Sequence, residues 1–71
     1  MENGFLVEGV DTADGSRTIL MEFGSSVEAI SWFHRYVSRE NGGNWDRVEV
    51  YDVRDPDNAE RLKVWENPQA Q

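Results

Sequence analysis

The hydrophobic positions of this 71-residue chain follow two different periods. Phe5 to Asp11 and Arg17 to Phe23 are short runs rich in strand-forming residues, separated by Thr12-Ala13-Asp14-Gly15-Ser16. The Asp-Gly pair is a hairpin signal, because glycine takes a positive φ without a Cβ clash. With a period of two, Arg17, Ile19, Met21 and Phe23 fall on one face of the second run, and Thr18, Leu20 and Glu22 on the other. The period then changes. Ser25 is suited to cap a helix, with Glu28 three residues on as its capping-box partner. The helix is expected from Ser26 to about Glu40, ended by Asn41-Gly42-Gly43. Arg35 and Arg39 lie towards its C-terminus, where the helix dipole favours cations. The period of two returns from Trp45 to Arg54 and from Ala59 to Glu66, joined by Asp55-Pro56-Asp57-Asn58, with Pro56 at the second position of a type I turn. Val48 and Val50 point one way, and Arg47, Glu49, Tyr51 and Val53 the other. In the last run Leu62 and Val64 oppose Arg61, Lys63 and Trp65.

These elements assemble as an α+β fold, ββαββ: a four-stranded, mainly antiparallel sheet with one helix packed across one face. Residues 1–66 form a single domain, and residues 67–71 read as a disordered tail. The expected core is Phe5, Val7, Ile19, Met21, Phe23, Val48, Val50, Leu62 and Val64 against Ile30, Phe33 and Val37. The three helix positions fall within roughly 60° of arc. Strand order is left open by the pattern. If the helix returns the chain to the end where the second strand began, the second and third strands run in the same direction and the two acidic turns lie at opposite ends of the sheet. In the other arrangement the turns merge into one patch.

Charge changes the picture more than size does. Fourteen Asp and Glu face seven Lys and Arg, a formal net charge of −7. Residues 1–16 carry Glu2, Glu8, Asp11 and Asp14 and no base, so −4. Residues 46–60 carry six acids against Arg47 and Arg54, again −4. Such a field repels nucleic acid and anionic membrane and attracts basic surfaces. There is no cysteine, which excludes disulfides and thiol chemistry. Three Trp, three Phe and two Tyr argue against disorder. No apolar run approaches a membrane span, and the start has neither a basic nor an apolar leader region. A cytoplasmic location is expected.

Three features are candidates for function. Trp32 projects roughly 200° from Ile30, beside Glu28, Arg35 and Arg39, on the face expected to meet solvent; Trp is the residue most enriched at binding hot spots. The uncovered sheet face is expected to show Leu6, Val10, Leu20, Arg47, Tyr51, Val53, Arg61, Lys63 and Trp65. Aromatics beside cations suit single-stranded RNA, but an exposed apolar face more often marks a dimer or partner interface. The acids Asp11 and Asp14, and Asp52, Asp55, Asp57 and Glu60, form the third. The Asp-x-Asp spacing at 55 and 57 lacks the glycine and final glutamate of a calcium loop, so no metal or other cofactor is expected. His34, alone of its kind, has no partner set for catalysis, and no enzyme activity is expected.

In size, charge and compactness the chain resembles small phage-encoded inhibitors of nucleic-acid machinery, including some anti-CRISPR and anti-restriction proteins, whose carboxylates stand in for phosphates. That resemblance implies a non-enzymatic inhibitor whose acidic turns bind a basic protein surface; Trp32, Arg35, Tyr51 and Trp65, read from the pattern above, are the further candidates for partner binding. The alternatives are a homodimer formed through Trp32 or through the Tyr51/Trp65 sheet face, and RNA binding on the open face.

Overall fold

The computed structural model describes residues 4–39 and 43–68. Strand β1 spans Phe5–Asp11, β2 Ser16–Phe23, helix α1 Ser26–Arg39, β3 Arg47–Asp52 and β4 Glu60–Glu66. The sheet order is β2-β1-β3-β4, and every neighbouring pair is antiparallel. The fold is therefore α+β, ββαββ, with one helix against one face of a four-stranded antiparallel sheet, as the periodicity predicted.

The local devices at the element ends are those the sequence encodes. Gly15 takes φ 75°, and its N–H donates to the Asp11 carbonyl at 2.8 Å to close the first hairpin. The Ser25 hydroxyl accepts from the Glu28 N–H at 3.2 Å and donates to Glu28 Oε1 at 3.1 Å, so two otherwise unpaired groups at the helix start are satisfied reciprocally. Of the helix stop, Asn41 and Gly42 lie outside the described residues, and Gly43 has φ 61°. The N–H of Asn58 donates to the Asp55 carbonyl at 3.0 Å, which is the closing bond of the expected type I turn.

Because β1 runs antiparallel to both β2 and β3, those two strands share a direction without touching. The 12–15 turn therefore lies at the Arg47 end of β3, and the 53–59 turn at the opposite, Asp52 end. The two acidic turns do not merge.

Phe5, Val7, Val48 and Val50 from the two central strands pack under Ala29 and Phe33 of the helix. Full burial of side chains of this size stabilises by roughly 1.5–3 kcal/mol each before entropy is counted. Leu20, Phe23, Ile30, Trp32, Tyr36, Val37, Trp45, Leu62 and Trp65 complete the rim. The ring of Trp45 lies flat on the backbone of Gly9, in the space a side chain would need. Ala29 replaces Ile30 as the centre of the buried helix stripe. Trp32 is correspondingly half-buried at the margin of the solvent face: its ring meets Phe23 at 6.2 Å and stacks on Tyr36 at 4.9 Å.

The edge strands depart from strict alternation, each at one bulge. In β2 the register shifts beside Val7/Glu8, so Met21 pairs with Val7 but Ile19 pairs with Glu8. Leu20 is the extra residue and packs on the core, while Ile19 is 50 % exposed on the uncovered face. Arg17, expected with the core-facing set, is on the uncovered face as well. In β4 the shift falls beside Val50/Tyr51. Arg61 and Leu62 keep their expected sides, but Val64 now opposes Glu49 on the uncovered face, and Trp65 and Lys63 oppose Val48 and Val50 on the helix side. An inserted residue changes the parity of everything beyond it, and this corrects Ile19, Leu20, Val64, Lys63 and Trp65 together. Asn67, read as the start of the tail, donates its N–H to the Asp46 carbonyl at 2.8 Å and its amide to the Trp45 carbonyl at 3.2 Å; residues 69–71 lie outside the described residues.

Replacing Gly9 by alanine puts a methyl group into the Trp45 ring. Such overpacking costs typically about 1–3 kcal/mol. Urea unfolding of Gly9→Ala is expected to show that loss; a midpoint equal to wild type would mean the Trp45 ring is free to move aside.

Candidate functional site

The uncovered face is organised by one side chain. Glu49 projects from the middle of β3 and is completely inaccessible to solvent. Its Oε1 accepts hydrogen bonds from Arg17 Nη1 on β2 and from the Tyr51 hydroxyl at 3.1 Å. Its Oε2 accepts from Arg61 Nη1 on β4 at 3.1 Å and lies 3.3 Å from Arg47 Nε. Arg17 Nη1 also reaches Glu8 Oε1 on β1 at 3.2 Å. One carboxylate thus connects side chains from all four strands. The guanidinium of Arg17 sits 5.8 Å from the centre of the Tyr51 ring. The arginines and Tyr51 cover the face that the pattern left open, so it is a charged lattice rather than a bare apolar sheet.

Burial by itself pushes the Glu49 carboxyl up, but hydrogen bonds from Arg17, Arg61 and Tyr51 and the charge of Arg17 more than offset it and hold the carboxyl below its ordinary value. The hydrogen bond to Glu49 likewise holds Arg17 further above its already high value.

The second surface is the Asp52–Glu60 end. Asp52 accepts from three donors of Arg54: its N–H, its Nε, which is shared between both carboxylate oxygens, and its Nη2 at 2.8 Å. The side-chain bond from Arg54 is the main cause that lowers the Asp52 carboxyl pKa. Asp55 Oδ1 accepts from the Asp57 N–H at 3.1 Å, and Oδ2 from the Asn58 amide at 3.3 Å. Asp52, Arg54, Asp55, Asn58 and Glu60 line a shallow concavity of about 400 Å³. At the other end, Asp11 Oδ1 accepts from the Ala13 N–H at 3.0 Å and Asp14 Oδ1 from the Ser16 N–H at 2.8 Å. Backbone bonding from Ser16 lowers the Asp14 pKa, and backbone bonding from Thr12 lowers that of Asp46. Asp11, Asp14 and Asp55 thus brace their own turns, and Asp46 ties its strand end to Thr12 of the first turn.

The third surface is a groove of about 390 Å³ on the helix, lined by Trp32, Arg35, Tyr36 and Arg39. The spacing i, i+3, i+4, i+7 puts the four side chains on one stripe.

Of the residues singled out in the sequence, Trp32 and Arg35 share this groove, Tyr51 belongs to the Glu49 cluster, and Asp52, Asp55, Asp57 and Glu60 share one end of the sheet. Asp11 and Asp14 lie at the opposite end, and Trp65 lies on the helix side, away from Tyr51. The Tyr51/Trp65 face therefore does not exist as one surface. Glu49 as a centre was missed, although a glutamate between two valines in a central strand is a signal in itself. Arg39 was expected beside Trp32 and lines the groove with it; Tyr36 was not singled out, because the helix is rotated from its expected orientation. His34 is exposed and its ring meets Phe33 at 5.3 Å. Among the described residues no three His, Cys, Asp or Glu side chains converge as a metal ion would need, and no helix is long and apolar enough to cross a membrane. Compared with protein-family models, curated proteins and solved structures, the chain matches none.

Glu49 has a folded pKa below its unfolded value, so the stability it contributes is fully present above about pH 4.5 and is lost as the pH falls through the lower folded value. Removing the carboxylate leaves Arg17, Arg47 and Arg61, which are partly exposed and stay hydrated, so the loss is that of the buried hydrogen bonds. Glu49→Gln is expected to lose about 1–3 kcal/mol at neutral pH and to flatten the acid limb of the stability–pH curve. An acid limb identical to wild type would show that ionisation of Glu49 contributes nothing to it.

Proposed function

We propose that this chain is a small non-enzymatic interaction protein that acts in the cytoplasm by presenting its Asp52–Glu60 end to a basic protein surface. The observation that supports this reading is how that end is built. Asp52 is clamped by Arg54, and Asp55 is committed to the turn. Asp57 and Glu60 are left exposed on the frame these two make. A preorganised set of carboxylates loses little freedom on binding, and a net charge of −7 steers a cationic partner towards it.

The concrete form of the proposal is an inhibitor of a nucleic-acid-handling complex, of phage or mobile-element type, whose carboxylates occupy a basic groove in place of phosphates. Since the two acidic turns point to opposite ends of the sheet, the mimicry rests on one end and not on a continuous row. Trp32 and Tyr36 in the helix groove supply an aromatic contact of the kind that anchors interfaces.

The test uses Asp57 and Glu60, which have little part in the turn's own hydrogen bonding. Affinity capture from host lysate, followed by calorimetry with the captured protein, is run with wild type and with Asp57→Lys/Glu60→Lys. The reading expects a basic partner, binding that weakens as salt is raised from about 0.1 M to about 0.5 M, and at least about tenfold weaker binding by the double variant. A partner bound equally well by the double variant and at high salt would contradict it.

A further inference from the structure

We propose that β2 is a pairing edge for a second copy of this chain. Two β2 strands would run antiparallel about a twofold axis and join two four-stranded sheets into one of eight.

The sheet order leaves two edges, β2 and β4, and each edge strand presents unpaired backbone N–H and C=O groups. Natural proteins block such edges with charged side chains, prolines, bulges or short strands. β4 is blocked: Glu60, Arg61, Lys63 and Glu66 put charge along its whole length. β2 carries a bulge at Leu20 but no charge within the run Thr18-Ile19-Leu20-Met21, between Arg17 and Glu22. Ile19 is 50 % exposed and Met21 45 % exposed. They lie on opposite faces of the sheet, since Ile19 pairs with Glu8 and Met21 with Val7. A globular partner resting on one face would cover only one of them. A strand added to the edge covers both.

The occupant is fixed by charge complementarity. Because of the bulge at Leu20, Arg17 and Glu22 share the uncovered face even though they are five positions apart, Arg17 opposite Val10 and Glu22 opposite Leu6. A twofold antiparallel pairing centred between Ile19 and Leu20 sets Arg17 of each copy against Glu22 of the other, and Thr18 against Met21. This gives two opposite-charge cross-strand pairs flanking an apolar centre. Arg17 engages the Glu49 cluster through Nη1 alone, which leaves Nε and Nη2 for the new contact. The opposing force is the net charge of −7 on each copy. Salt screens that repulsion, so the dimer tightens as salt is added. Binding of a basic partner shows the opposite dependence, and the two readings therefore fail independently.

Sedimentation equilibrium from about 0.1 M to about 1 M salt is the experiment, with wild type, Ile19→Lys and Glu22→Lys. Both positions are exposed, so far-UV circular dichroism should match wild type. A wild-type dimer that tightens with salt is expected, weakened at least about tenfold by either variant. Glu22→Lys is the sharper of the two. It reduces the net negative charge, which alone would favour association, yet it is expected to weaken the dimer. A wild-type monomer at all salt concentrations would overturn the proposal, as would a dimer indifferent to both variants. Amide exchange on wild type reads the same contact without a substitution: protection within β2 that rises with protein concentration supports edge pairing, and protection that does not change overturns it.

Discussion

The structure depends on one buried carboxylate. Glu49 on β3 is contacted by Arg17 from β2 and Arg61 from β4, while Glu8 on β1 shares Arg17. An ion pair of this kind is weak evidence for net stability, because desolvation offsets most of the attraction. Its physical effect is on register. Both edge strands contain a bulge, and a one-residue slip in either would carry Arg17 or Arg61 to the helix side and leave Glu49 buried beside fewer cations. The cost of an unpaired buried charge makes those slipped pairings unfavourable. The helix and the valine core hold the sheet together, and the Glu49 cluster selects which residue faces which.

That division explains what was legible in the sequence. The hairpin glycine, the Ser25–Glu28 box and the Pro56 turn are local, and local chemistry is written within a few residues. The central strands obeyed the period of two because both are paired on each side. The edge strands did not, and nothing within β2 or β4 announces a bulge: Ile19-Leu20-Met21 reads equally well in either parity. The same two insertions moved Arg17 onto the uncovered face and Trp65 off it, so Arg17 was missing from a face already expected to hold Arg47, Glu49, Tyr51 and Arg61, and the Tyr51/Trp65 surface was expected in error. Trp32 was misplaced for a related reason. The buried stripe centres on Ala29 and Phe33, and a small alanine carries little weight in a hydrophobic pattern even where it is fully buried.

The charge of the molecule is also less uniform than its total suggests. Several carboxylates are engaged: Asp11, Asp14 and Asp55 in their own turns, Asp46 with Thr12, Asp52 with Arg54 and Glu49 within the cluster. Among the described residues Asp57 and Glu60 are exposed together at one end, and Glu22 and Glu66 are exposed singly on the edge strands. The arginines are divided in the same way, some neutralising Glu49 and two lining the Trp32 groove. The chain is an acidic molecule with an acidic end, an aromatic and basic groove, and a strand edge without charge at its centre.

The most direct test of the central role of Glu49 is the titration of its side-chain carboxyl carbon by NMR in the folded protein. A midpoint below the ordinary glutamate value, with the Arg17 and Arg61 guanidinium resonances shifting in the same step, is the predicted result. A midpoint at or above the ordinary value, with those arginine signals unmoved, would contradict the account: burial would then dominate, and the cluster would not be the ion-paired centre that fixes the sheet.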